Sequence, residues 1–183
     1  MKKHVISLLT AVTAFLLLGC STSNDAKPAN ATYKFMVNGT TYTEVAGKDS
    51  TLTGGSGALS SANTLTINGQ SADKTATVGL EFFWKGTAKP KAGSYQVIGD
   101  GSTMTDSQVG VLVVEKPNSV KEGIYSTTGL DGASITVAVS SSGKLTVTMP
   151  SVAIKGTLLD NTDPKNTVST TVSTTMSGPV AEL

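Results

Sequence analysis

From Thr32 onward apolar residues recur at every second position, and this period commits the chain to β-strands rather than helices. The alternation is clearest from Thr75 to Trp84, where Val78, Leu80, Phe82 and Trp84 share one side and Gly79, Glu81 and Phe83 the other. The pattern recurs at Leu65 and Ile67, at Ile135, Val137 and Val139, and at Leu145, Val147 and Met149. Between Tyr33–Val37 and Tyr42–Val45 stands Asn38-Gly39, a dipeptide that accepts the positive φ of a tight hairpin turn, and a second such pair, Asn68-Gly69, predicts another turn. Gly93–Ile98 reads as a strand ending at Gly99-Asp100-Gly101. Val109–Glu115 is apolar on both faces, the pattern of a central strand covered on two sides. Val152–Leu158 and Val168–Met176 complete the set, the latter with the wholly hydroxylic face Ser169, Thr171, Ser173 and Thr175. About nine strands with turn signals between them predict one all-β domain over residues 32–183, an antiparallel β-sandwich. A β-barrel is the alternative, because alternation looks the same in both.

The first nineteen residues follow different rules. Met1 to His4 is basic, and Val5 to Leu18 is apolar apart from Ser7, Thr10 and Thr13. That core falls short of the about 20 apolar residues a spanning helix needs, so residues 1–19 read as a cleaved signal peptide. Leu17-Leu18-Gly19-Cys20 resembles the lipobox of bacterial lipoproteins, and Cys20 is the chain's sole cysteine. The resemblance implies that Cys20 is lipid-modified and becomes the new N-terminus, with acyl chains supplying membrane affinity. By the same resemblance Ser21, where aspartate would signal inner-membrane retention, implies the outer membrane. Residues 20–31, which after Cys20 consist of Ser, Thr, Asn, Asp, Ala, Lys and Pro with no apolar periodicity, read as a lipid-anchored flexible tether.

Composition narrows the chemistry. The one histidine is His4, inside the predicted leader, so the mature chain has no imidazole for a catalytic triad, a general base or a histidine-ligated zinc. An acylated Cys20 offers no thiolate. The charged residues include no arginine, and beyond the leader twelve lysines face thirteen carboxylates, a balance that predicts no nucleic-acid partner. Lys85, Lys89 and Lys91 read as a solvated loop rather than an anion site. The expectation is a non-enzyme with no cofactor.

Some readings of the polar and aromatic residues survive. Glu44, Glu81 and Glu115 fall in predicted strands, and a carboxylate-dependent hydrolase needs two acids flanking a bond. Glu81, beside Phe82, Phe83 and Trp84, is the acid to examine, although alternation turns it outward. Asp160-Asn161-Thr162-Asp163 is a tight acidic cluster, readable as a calcium loop or as an ordinary turn. Phe83, Trp84 and Tyr125 are the candidates for ligand contact, Phe83 because it opposes its neighbours' face and Tyr125 because Gly123-Ile124-Tyr125-Ser126 reads as a loop. Asp49-Ser50-Thr51 matches a short acidic-serine pattern of bacterial O-glycosylation.

The lipobox, the polar tether, the opening hairpin at Phe35-Met36-Val37-Asn38-Gly39 and the later Gly93-Ser94-Tyr95-Gln96-Val97 together resemble the small β-rich lipoproteins of Bacteroidota. The resemblance implies a cell-envelope location, facing the periplasm or the surface, and a β-rich fold. Three roles follow as expectations: a non-catalytic structural or protein-interaction lipoprotein first, a carbohydrate- or small-ligand-binding module second, a hydrolase third. The partner expected is a membrane, with an envelope protein or glycan beyond it.

Overall fold

The computed structural model describes residues 33–45, 50–53, 62–86, 88–99, 102–163 and 165–182. The predicted leader, Cys20, the tether, Asp49 and Asp100-Gly101 lie outside the described residues. Eleven strands are described: β1 Lys34–Val37, β2 Thr40–Glu44, β3 Ser50–Thr53, β4 Ala62–Gln70, β5 Thr77–Lys85, β6 Gly93–Val97, β7 Gln108–Asn118, β8 Lys121–Thr127, β9 Ser134–Val139, β10 Leu145–Asp160 and β11 Val168–Ala181. The all-β expectation holds.

The strands form one sheet that bends back over itself until its first and last strands pair. From β1 the ladders pass to β2, β4, β5 and β7, then through β8 to β10 and β11, and β11 pairs again with β1. Two layers thus face each other across one core in a β-sandwich-like arrangement. β3 continues β2 along the same edge of β4. Between β7 and β10 the wall forks, with β8 filling one end and the β6–β9 pair the other. Thr127 sits at the fork, its buried hydroxyl donating to Ile98 O at 2.6 Å and accepting from Val111 N–H at 3.2 Å. One ladder departs from the antiparallel expectation: β6 runs parallel to β7 through Gln96↔Gln108 and Val97↔Val109.

Alternation places the core. In β5 every second residue from Val78 to Trp84 is buried, as the period predicts. β7 buries Val109, Val111, Val113 and Glu115 while Gly110, Leu112 and Val114 are half-buried on the outer face. The Asn38-Gly39 turn forms as expected, with φ 51° and 78°.

Three readings are corrected. Asn68-Gly69 does not turn the chain; it lies inside β4, paired with Gly79 and Val78. Gly69 is there for space, since the Phe35 ring lies where its Cβ would be. The turn comes at Ser71–Ala76, where the Asp73 carboxylate accepts from Ser71 and Thr75 and Lys74 takes φ 62°. Second, Leu145–Met149 and Val152–Leu158 are one strand, bent by a bulge between Met149 and Ser151 where Pro150 has no N–H to donate. Third, Gly123–Ser126 is not a loop but part of β8.

Candidate functional site

The sequence candidates do not converge. Phe83 is on the outer face of β5, half-buried and opposite Thr64 and Gly110. Trp84 points inward at 3% exposure, stacked on Phe82 and edge-on to Tyr95. Tyr125 is 1% exposed, its ring folded back over Gly123. Trp84 and Tyr125 therefore supply core area rather than a ligand platform, because β8 carries Tyr125 inward with the same alternation that buries Trp84.

What the fold assembles instead is a polar cluster inside the core. Tyr42 and Glu44 are two apart on β2 and share its inner face. Across Gly69 of β4 and Val78 of β5, the same rung reaches Glu115 of β7 and Gly123 of β8. Glu115 is 1% exposed and Glu44 4%. The Tyr42 hydroxyl donates to Glu115 Oε1 at 2.6 Å, a short bond of the kind formed to charged acceptors. Glu44 Oε1 accepts from the Ala181 N–H at 2.5 Å, which ties the end of β11 to β2. Burial first, and then the Glu115 hydrogen bond and charge, push the Tyr42 phenol above its ordinary range. Burial and the Glu115 charge push the Tyr125 phenol up to about 12, although its hydroxyl makes no hydrogen bond in this geometry.

Sequence reasoning ranked Glu81 above these two acids. Parity could have found them: Glu115 continues the Val109, Val111, Val113 face, and Glu44 shares that of Tyr42. A second inward polar pair lies about six residues along the same strands, roughly 20 Å away at 3.3 Å per residue. There Asn63 and Trp84 are cross-strand partners, and the Asn63 amide and Trp84 Nε1 are buried without a hydrogen-bond partner.

Outside, Glu81 lines an open groove of about 640 Å³ across the outer faces of β4, β5 and β7, together with Thr66, Asn68, Gln70, Val114 and Lys116. Hydrogen-bonding side chains flank an apolar floor, and Gly79 deepens it by having no side chain.

The acidic cluster is occupied by its own turns. Asp160 Oδ1 accepts from the N–H and hydroxyl of Thr162, Asp160 Oδ2 meets Lys121 Nζ at 3.0 Å, and Asp163 accepts from Lys165 N–H. These hydrogen bonds, led by the Thr162 hydroxyl, hold Asp160 down at about 2. Asp131 likewise accepts from Ala133 and Ala153. Among the described residues no cluster of three or more metal-ligating side chains forms. Comparison with protein-family models, with curated proteins and with solved structures finds no match in any of the three.

Proposed function

We propose that this is a lipid-anchored cell-envelope lipoprotein whose β-domain is a non-catalytic structural or protein-interaction module. The observation that carries the reading is the coincidence of a basic start, an apolar core and Leu17-Leu18-Gly19-Cys20, followed by a polar stretch before the first strand. Lipid on Cys20 would hold the domain at the membrane, and residues 21–31 would space it from the bilayer. The use of the buried acids supports a non-catalytic domain: Glu115 is tied to Tyr42 and Glu44 to the backbone of Ala181, so both serve to join strands. The groove beside Glu81, with hydrogen-bonding groups around an apolar floor, is the contact surface this reading favours.

Fractionation of cells carrying the wild-type chain or Cys20→Ala, with surface proteolysis of intact cells followed by immunoblot, tests the reading. The expected result is membrane association lost in Cys20→Ala. Identical soluble fractionation of both would overturn the anchor. Degradation in intact cells would place the domain outside, and protection until lysis would place it in the periplasm.

A further inference from the structure

The last strand is paired on both sides over only part of its length. β11 runs from Val168 to Ala181 and pairs with β10 throughout, but its ladder with β1 stops at Met36↔Ser177 and Val37↔Met176, capped by Asn38 N–H donating to Thr175 O at 3.0 Å. Past that point β1 turns away at Asn38-Gly39. The Thr175 carbonyl points to the β1 side, and in an antiparallel ladder alternate residues direct both backbone groups to the same side. The register with β10 is unbroken from Thr175 to Val168, so Ser173, Thr171 and Ser169 also turn their N–H and C=O groups away from β10. No described strand meets them.

This edge lacks the usual protections. Val168–Met176 contains no charge, no proline and no glycine, β11 has no bulge within it, and Val168 is 52% exposed. The positions whose backbone groups face outward are also symmetric about Thr171, with Ser169 and Ser173 at equal distance, while Thr170 and Val172 between them differ. A second antiparallel copy centred there sets Thr171 against Thr171, Ser169 against Ser173, and Thr170 against Val172, with no like charges facing. Each hydrogen-bonded pair closes two backbone bonds.

We infer that the Ser169–Ser173 edge of β11 is a dimerisation surface, which pairs antiparallel with the same edge of a second copy about a two-fold axis at Thr171. The contact is isologous and uses up the edge on both copies, so it closes at two. The Asn38-Gly39 turn marks its end, because the next outward group, Thr175, is already bonded to Asn38.

The test is cysteine cross-linking of the full chain in its own membranes, with the wild-type chain, which carries Cys20 alone, as background. Across a hydrogen-bonded pair Cα atoms lie about 5.5 Å apart, inside the disulfide range of about 4.4–6.8 Å. Thr171→Cys is expected to give a covalent dimer on mild oxidation well above background, and Thr175→Cys none. Sedimentation of the detergent-solubilised chain should show a dimer that Thr171→Lys, which sets two like charges on the axis, weakens at least tenfold with the far-UV spectrum unchanged. A monomer at all concentrations, equal cross-linking at 171 and 175, or cross-linking only to a different protein would each overturn the proposal.

Discussion

The core is polar at both ends, and the two ends deal with that polarity differently. Near Glu115 part of the inward polarity is paired: Tyr42 donates to Glu115 Oε1 and Glu44 accepts from Ala181, while Glu115 Oε2 and the Tyr125 hydroxyl are left without a hydrogen bond. Near Trp84 the Asn63 amide and the indole N–H are equally buried and meet nothing. Both sets were carried inward by the same two-residue alternation, along β2 and β7 for the first and β4 and β5 for the second, so burial alone does not make a polar side chain stabilising. What separates the ends is reach. Tyr42 extends across the core to the opposite wall, whereas Asn63 and Trp84 are direct cross-strand neighbours among apolar rings.

The comparison breaks most severely at Gly123. A Cβ there would overlap the Tyr125 ring and hydroxyl, forcing that ring out of the place it fills beside the carboxylate. Gly123→Ala should cost about 3 kcal/mol, the upper end of what overpacking does, read as a lowered urea midpoint. Tyr42→Phe keeps the ring but deprives Glu115 of its donor. A loss of about 2 kcal/mol is expected in the same measurement, and a loss near zero would mean that the bond contributes nothing to this end's stability.

Alkali probes the same end without mutation. The folded Tyr125 phenol holds its proton to about 12 against the ordinary 10.0, so folding is favoured in full below pH 10 and loses that contribution as pH rises toward 12. Tyr42 shifts in the same direction. Denaturant midpoints taken from pH 9 to 12 should therefore fall, and fall less steeply in Tyr125→Phe. The smallest effect belongs to the other end and has the opposite sign. Asn63→Leu removes an unpartnered amide, exchanges it for an apolar group of similar size, and should gain about 1 kcal/mol. A loss instead would show that the amide has a partner in solution.

Much of the fold was legible residue by residue. The β5 face Val78, Leu80, Phe82, Trp84 and the Asn38-Gly39 turn followed from period and φ preference, both local properties. Asn68-Gly69 misled because a glycine that makes room for Phe35 looks, in one dimension, like a glycine that turns the chain. Tyr125 misled because flanking Gly123 resembles a loop signal, when that glycine gives space to the tyrosine's own ring. The parallel β6–β7 ladder had no local signature, since strand direction depends on what the chain does between strands.

The sequence by itself determined that the domain is built of strands, which side of most strands is apolar, and which chemistries lack their residues. Those properties depend on side-chain identity and a two-residue period. Only the tertiary structure decided that Tyr42 meets Glu115 across seventy-three residues, that Glu44 closes on the end of β11, and that Ser169, Thr171 and Ser173 are left with backbone groups facing outward. Each of these depends on which strands become neighbours and where each ladder stops, and that is settled by packing of the whole core rather than by any segment of it.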